Sequence, residues 1–229
     1  MTTPELHVVG QSVPRRDGLG HVTGKTVYID DISFPDTLYL KMVRSPIAHG
    51  IIRGIDFSEA EKVPGFVRAL TWQDVPKNIY TILCLIGVGP DDEPVLAQDK
   101  VFWQGEQIAA ILAESEAAAT EAADKVRLDL EELPAVFDVE EALKPGAPIL
   151  KPWGTNYFVY DYEHGQANPF RKVRSGDVQR GFEQADYIVE ERYTPSPIEQ
   201  APTETTGCIV RPEPDGRFTV YTNTQALFF

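Results

Sequence analysis

Short runs of β-branched and apolar residues, each stopped by turn residues, constrain the fold of this chain more than any other feature. One segment between these runs has a different pattern. Residues 116–125, which follow Ser115, are alanine-rich, start with an acid and end in lysine, as is typical of a helix. Seven such runs precede the proline-rich break at residue 144, namely 38–43, 51–55, 66–70, 79–88, 101–103, 107–113 and 126–130. Strands interleaved with one clear helix predict an α+β domain over residues 18–145.

The best candidate for a domain boundary is Lys144–Pro148, because paired prolines and a glycine stop both strands and helices. Residues 1–17 are rich in Gly, Pro and charge and are predicted to form an extended arm. Residues 146–229 are predicted to begin a second domain. Its predicted elements are a helix over 177–184, a strand over 187–193 and a hairpin of 207–211 with 217–222. Because the sequence stops at apolar Leu227–Phe229 directly after a strand, this domain is expected to be incomplete.

Charge and cysteine content exclude several classes of partner and site. The formal net charge of -14 would repel a phosphate backbone or an anionic membrane, so we expect no nucleic acid partner. Cys84 and Cys208 are far apart and belong to no Cys/His cluster, which argues against a zinc or iron–sulfur centre. No secretory signal or apolar run of bilayer length is present, so a cytoplasmic protein without a membrane span is predicted.

Two glycine-containing segments have only a partial likeness to phosphate-binding loops. Gly18–Gly24 (GLGHVTG) has its third glycine one place too late and follows no strand, so a flexible turn is predicted there. Gly87–Gly89 is followed by carboxylates that would oppose a phosphate, so a plain loop is predicted.

The histidines and acid pairs show no catalytic spacing. His7, His21, His49 and His164 lie far from one another, and each is predicted to be a surface or capping residue. The pairs Glu131–Glu132 and Glu190–Glu191 would point to opposite faces of a strand, as solvated charges do. Without a GxSxG, HExxH or Walker-type motif, these patterns indicate a soluble fold but no function.

A set of short segments nevertheless occurs in an order found in one known family. The segments are Arg16–Gly18, Val22–Lys25, Tyr28 with Asp31, Leu38–Tyr39, Arg44–Pro46 with Ala48–His49, Glu93–Ala97, Gly176–Val178 and Ala185–Asp186. Together they resemble the molybdopterin-binding large subunits of the xanthine dehydrogenase/aldehyde oxidase family, over about residues 10–229. The resemblance implies an α/β-hammerhead domain followed by the truncated start of the molybdenum-cofactor-binding domain.

Few functional residues are implied by the resemblance. Gln225 matches a family glutamine that approaches the molybdenum–pterin centre, where an amide can donate and accept. A turn-capping glutamine is the structural alternative. Glu204–Thr205 match a position where a buried acid is expected, and Gln200 replaces a frequent histidine, which leaves the substrate open. The family's catalytic glutamate is expected beyond residue 229, so no catalytic residue or metal ligand is assigned within the chain.

The function implied by the resemblance is that of a multi-subunit molybdenum oxidoreductase. Such an enzyme inserts water-derived oxygen into an aldehyde or N-heterocycle with molybdopterin or its cytosine dinucleotide. FAD and 2Fe–2S centres are expected on partner subunits, in a dimer of heterotrimers, and the fragment alone is expected to be inactive. The alternatives are a carbon monoxide dehydrogenase-like or hydroxybenzoyl-CoA reductase-like subunit, or a non-catalytic scaffold module.

Overall fold

The computed structural model describes residues 8–80, 92–151, 154–156, 160–161, 166–167 and 175–224. Its α-helices are α1 (Gly18–Thr23), α2 (Glu116–Lys125) and α3 (Val178–Gln184). Single 3-10 turns lie at Ile29–Asp31, Ala60–Lys62, Trp72–Asp74 and Glu141–Leu143. The first six strands are β1 (Tyr39–Arg44), β2 (Gly50–Asp56), β3 (Phe66–Leu70), β4 (Ile79–Tyr80), β5 (Glu93–Pro94) and β6 (Lys100–Val101). The others are β7 (Gln107–Ala113), β8 (Arg127–Glu132), β9 (Tyr160–Asp161), β10 (Gln166–Ala167), β11 (Cys208–Pro212) and β12 (Phe218–Thr222).

The contacts within the chain divide it into two compact units. One unit combines Met1–Pro35 with Tyr193–Phe228, and the other spans Asp36–Arg192. Helix α1 therefore groups with the β11–β12 hairpin. The domain bounds predicted at residues 17 and 145 stay a prediction. Within the described residues, no helix combines the length and apolar character that crossing a bilayer requires.

Two three-stranded antiparallel sheets form the Asp36–Arg192 unit. One sheet has the order β1–β7–β3 and the other the order β6–β2–β8. The described residues of this unit also form the two-stranded pairs β4–β5 and β9–β10.

Strand β7 is buried on both faces and joins the two cores of the unit. Ile111 is fully buried in a core with Val43 and Ala122, which places helix α2 on that side of the sheet. Ile108, also fully buried, belongs to the second core with Val101, a residue of the other sheet. Because successive strand residues point to opposite faces, the near-continuous apolar run of β7 matches a strand covered on both sides.

Helix α2 forms where its sequence predicts it. The Ser115 side chain accepts a hydrogen bond from the Ala118 backbone N–H at 3.2 Å and so caps the first turn. Ala119 and Ala122 are buried against the sheet, where small side chains allow a close approach. Lys125 pairs with Glu121 one turn earlier at 2.7 Å.

The predicted α+β class and hammerhead organisation are confirmed, and most predicted strands of the Asp36–Arg192 unit are observed close to their expected bounds. The predicted hairpin and the helix near residue 177 are also present. The fourth predicted strand is seen only at Ile79–Tyr80, and residues 81–91, including Cys84 and Gly87–Gly89, lie outside the described part of the chain.

Two expectations about secondary structure are wrong. Residues 187–193 have a strand-like pattern but no ladder partner among the described residues, and Tyr187 and Val189 are 91% and 86% exposed. Gly18–Thr23 forms a helix rather than a flexible turn. Gly24 ends that helix in the left-handed conformation, at a φ of 67°, while the Thr23 hydroxyl donates to the Leu19 carbonyl.

Candidate functional site

The β11–β12 hairpin leads directly to Gln225, the residue for which a cofactor contact is predicted. Five antiparallel residue pairs run from Pro212 with Phe218 to Cys208 with Thr222. Gly216 closes the turn at a φ of 84°, where a residue with a Cβ would be strained. The open end of the hairpin therefore lies at Gly207 and Asn223, next to the predicted site.

The Asn223 side chain continues the hydrogen bonding of the hairpin beyond its last backbone pair. Its Oδ1 accepts from the Gly207 N–H at 2.9 Å, and its Nδ2 donates to the Thr205 carbonyl at 2.7 Å. The Thr222 hydroxyl donates to the Gly207 carbonyl at 3.1 Å. The backbone polar groups at the end of the hairpin are thus satisfied by side chains.

Residues from the N-terminal part of the chain brace the same hairpin. A Cβ built on Gly207 would lie 2.6 Å from Ile29 Cγ2, so this contact requires glycine. The Phe34 ring lies against Tyr221, with 5.4 Å between centroids, and the Arg211 guanidinium lies 5.2 Å from the Phe34 centroid. This bracing explains why the N-terminal segment and the hairpin form one unit.

The ion pairs near the hairpin turn are exposed or partly exposed. Glu213 accepts a hydrogen bond from the Thr219 hydroxyl at 2.6 Å and from Arg211 Nη2 at 2.7 Å. The Thr219 hydrogen bond, followed by the Arg211 guanidinium, lowers the pKa of the Glu213 carboxyl. These contacts fix the turn, at the opposite end from Asn223.

A second polar network surrounds helix α1. Arg15 Nη2 donates to Asp17 at 2.8 Å, and this hydrogen bond is the main cause that lowers the pKa of Asp17 to about 2. His21 Nε2 lies 3.3 Å from Asp17, while its Nδ1 lies 3.2 Å from the Thr26 hydroxyl and 3.3 Å from the Tyr28 hydroxyl. Both nitrogens of the His21 ring thus have hydrogen-bond partners, and the network connects the residues before α1 with those that follow it.

The Asp36–Arg192 unit contains a cavity of about 510 Å³. Its walls combine aromatic rings with acids and one lysine, namely Tyr80, Asp92, Glu93, Pro94, Phe102, Trp103, Glu106, Gln107, Leu150 and Lys151. Lys151 Nζ contacts the Asp92 carboxylate at 2.5 Å. Glu106 is 4% exposed and accepts from the Phe102 N–H at 2.6 Å. Burial raises the pKa of the Glu106 carboxyl, although the backbone N–H groups of Phe102 and Trp103 favour its ionised form.

Because burial raises the pKa of the Glu106 carboxyl, the ionised side chain destabilises the folded protein, and this destabilisation grows as the pH rises. An acid with a higher pKa when folded stabilises the protein below its unfolded pKa, and that contribution is lost as pH rises through the folded pKa. We expect Glu106→Gln to gain melting temperature relative to the unchanged chain as the pH rises from about 4 to about 8. Glu132→Gln, the same substitution at an exposed strand residue, is the control against which the trend for Glu106→Gln is compared. A pH-independent difference for Glu106→Gln, measured by thermal unfolding, would contradict this interpretation.

His49, predicted to be a surface or capping residue, is buried. The side chain is 5% exposed and stacks on Phe102, with 5.9 Å between ring centroids. Nδ1 lies 2.6 Å from the Pro134 carbonyl, and the Leu133 N–H donates to the His49 carbonyl at 2.9 Å. Nε2 is buried without a hydrogen-bond partner among the described residues. His49 therefore holds the end of β8 against the start of β2, a long-range role that sequence spacing cannot show.

The other predicted residues are placed as follows. Gln225, His7 and His164 lie outside the described residues, so the cofactor role of Gln225 stays a prediction. Glu204, expected to be buried, is partly exposed, and Thr205 and Gln200 are exposed.

The adjacent acids are surface charges, as predicted: Arg53 Nε donates to Glu131 at 2.8 Å, and Glu132, Glu190 and Glu191 are exposed. No group of three or more His, Cys, Asp or Glu side chains suited to a metal occurs in the part of the chain that the structure describes.

Sequence reasoning missed the residues that shape the end of the hairpin. Asn223 could have been suspected, since an asparagine directly after a strand often bonds to nearby backbone groups. Gly207 had no such signal, because its need for glycine arises from Ile29, which lies far away in the sequence.

Comparison with known proteins shows which protein family this chain belongs to. Residues 23–134 match the α/β-hammerhead domain of aldehyde oxidase and xanthine dehydrogenase, and residues 160–229 match a molybdopterin cofactor-binding domain. A hammerhead domain followed by molybdopterin-binding sequence is the arrangement of one class of molybdenum enzyme. The chain belongs to the aldehyde oxidase and xanthine dehydrogenase family.

Relatives support that assignment along most of the chain. A probable xanthine dehydrogenase component from Bacillus subtilis is 36% identical over 92% of this chain and 26% of its own length. The aldehyde oxidoreductase of Desulfovibrio gigas aligns with a TM-score of 0.77 and 31% identity, over 91% of this chain and 23% of that one. Carbon monoxide dehydrogenase from Oligotropha carboxidovorans aligns with a TM-score of 0.71 and 25% identity, over 93% of this chain and 27% of that one. The chain thus spans about a quarter of the length of these three proteins.

Proposed function

We propose that this chain is part of the molybdenum-cofactor subunit of a hydroxylase that oxidises an aldehyde or an N-heterocycle with oxygen from water. The observation that carries the proposal is the alignment with an aldehyde oxidoreductase over 91% of the chain, at a TM-score of 0.77. The xanthine dehydrogenase relative from Bacillus subtilis extends the substrate class to N-heterocycles. Catalytic residues are expected outside the 229 residues, in sequence that the larger relatives contain.

The role of this chain's own residues would be to hold one edge of the cofactor. The hairpin β11–β12 ends in polar residues, and Thr224 is exposed directly before Gln225. A glutamine amide can donate and accept hydrogen bonds at once, which suits the polar edge of a pterin. When bound, the molybdenum–pterin group supplies the redox chemistry. The protein's contribution here is orientation of that group by a strand end whose direction is fixed by side-chain hydrogen bonds.

Partner subunits would supply the remaining electron carriers. The 229 residues contain two cysteines, whereas a 2Fe–2S cluster is commonly held by four thiolates. Several relatives are named as subunits of larger enzymes, which supports placing the 2Fe–2S centres and FAD on partner subunits of a cytoplasmic assembly, arranged as a dimer of heterotrimers. The pterin is molybdopterin or its cytosine dinucleotide.

The test is a substrate panel on the complete protein, purified with its co-expressed neighbours. Dye reduction is measured with aldehydes, purines and other N-heterocycles, and carbon monoxide, and protein from tungstate-grown cells serves as the metal control. Reduction by an aldehyde or N-heterocycle that is lost in the tungsten control is expected. Reduction by carbon monoxide alone would instead favour a carbon monoxide dehydrogenase-like subunit, which the alignment at a TM-score of 0.71 makes the second candidate.

A further inference from the structure

We propose that Asn223 is a positioning residue that ends the β11–β12 hairpin and sets the direction in which the chain continues to Gln225. The inference rests on the proposed function for its catalytic consequence, but its structural part stands on contacts within the hairpin unit.

The Asn223 amide reproduces a backbone rung. Its Nδ2 donates to the Thr205 carbonyl and its Oδ1 accepts from the Gly207 N–H, so one side chain bonds to backbone groups two residues apart. A residue of a parallel strand bonds to its neighbour in this way, although β11 and β12 themselves are antiparallel. The backbone pairing of β12 stops at Thr222 with Cys208, one residue before the Asn223 side chain makes these two bonds. The chain can therefore turn away from β11 at Thr224.

The opposite side of the same rung is held by an independent contact. Gly207 faces Ile29, whose Cγ2 would be 2.6 Å from an added Cβ. The Thr205 hydroxyl also lies 3.4 Å from Asp30. The segment 205–207 is thus fixed between the 3-10 turn at Ile29–Asp31 and the Asn223 amide. Because the end of the hairpin is held from two sides, the direction in which the chain leaves it is fixed. A precisely oriented cofactor contact requires such a fixed direction.

A matched control exists in the other unit. The Asn78 amide is also bidentate to the backbone, but to the single residue Leu96, with Nδ2 donating to the Leu96 carbonyl at 2.8 Å and Oδ1 accepting from its N–H at 3.0 Å. Asn→Asp at either position keeps the side-chain shape but replaces the donor with an oxygen that faces a carbonyl. Both variants should therefore lose stability, and only Asn223→Asp should disturb the residues that lead to Gln225.

The experiment compares Asn223→Asp and Asn78→Asp in the complete holoenzyme by three readouts. Amide hydrogen exchange of the peptide covering residues 221–229 should quicken by about tenfold or more in Asn223→Asp and stay unchanged in Asn78→Asp. In the same protein, kcat should fall by about tenfold and the molybdenum(V) EPR signal should shift only for Asn223→Asp. Asn223→Gln, which keeps the donor and acceptor, should recover part of kcat.

The outcomes separate this inference from the proposed function. If Asn223→Asp lowers the melting temperature but leaves exchange, kcat and the EPR signal as in Asn78→Asp, Asn223 has a merely structural role and the inference is wrong. If the unchanged protein contains no molybdenum, the proposed function fails, while hydrogen exchange still decides whether Asn223 fixes the chain at residues 224–225. Altered exchange with unchanged kcat and EPR signal would overturn the link to Gln225.

Discussion

Gly50→Ala is expected to destabilise the Asp36–Arg192 unit by about 3 kcal/mol, because the added methyl group has no space. Gly50 is buried in β2, the central strand of its sheet, where it pairs with Val101 and Glu132. An added Cβ would lie 2.7 Å from the Glu131 carbonyl oxygen and would overlap Ile47 Cδ1. The Ile47 side chain can rotate away, but the carbonyl belongs to the paired strand and cannot move without breaking the ladder.

Gly54 in the same strand provides the control. Its added Cβ would meet only Asp129 Cβ, at 3.9 Å, which is an ordinary contact. Gly54→Ala should therefore be neutral or slightly stabilising, since alanine loses less conformational entropy than glycine. Urea unfolding followed by tryptophan fluorescence suits the comparison, because Trp72 and Trp103 both lie in this unit. Equal unfolding free energies for the two variants would contradict the packing described at Gly50.

Ile111→Ala is expected to cost about 4 kcal/mol of unfolding free energy. Ile111 is fully buried and lies in the core formed by Val43, Ala109 and Ala122. Several of its neighbours are alanines, whose short side chains cannot extend into a cavity. The loss should therefore fall in the upper part of the range for such truncations, as the size of the remaining cavity sets the cost.

Ile149→Ala is the matched truncation at a residue that is 52% exposed, and we expect a change within about 0.5 kcal/mol. Ile108→Ala, on the opposite face of β7, should resemble Ile111→Ala because that residue is also fully buried. Denaturant midpoints of the three variants test the two-sided burial of β7. If the alanine variant at either Ile108 or Ile111 lost little unfolding free energy, the corresponding face of β7 would not be buried, and the two-sided burial would be contradicted.

The elements that local sequence predicts well are those whose stabilising contacts are local. Helix α2 has its cap at Ser115 and its i,i+4 ion pair within one segment, and both are observed. Strand β7 has a continuous apolar run that identifies a strand buried on two faces. Residues 187–193 have an equally good strand pattern, but a strand also requires a partner, and no partner is present among the described residues. An alternating apolar pattern indicates which face of a strand could be buried, but it does not identify the strand that pairs with it.

The candidate site was predictable only through resemblance. Gln225 has no local signal beyond its place after a predicted strand, and only the family pattern implies a cofactor contact. The residues that shape the strand end, Asn223, Gly207 and Ile29, act through contacts between distant parts of the chain. The burial of His49 has no local signal either, because its side-chain contacts with Pro134 and Phe102 are distant in sequence.

The most direct test of the central claim is the molybdenum and pterin content of the complete protein, purified as an assembly with its co-expressed partners. Metal analysis, with pterin measured after oxidation to a fluorescent product, gives the stoichiometry of each. One molybdenum and at least one pterin per copy of this chain are expected for a molybdopterin-binding subunit. A folded and correctly assembled sample that contains neither would contradict the account and would favour a non-catalytic scaffold built on a hammerhead domain.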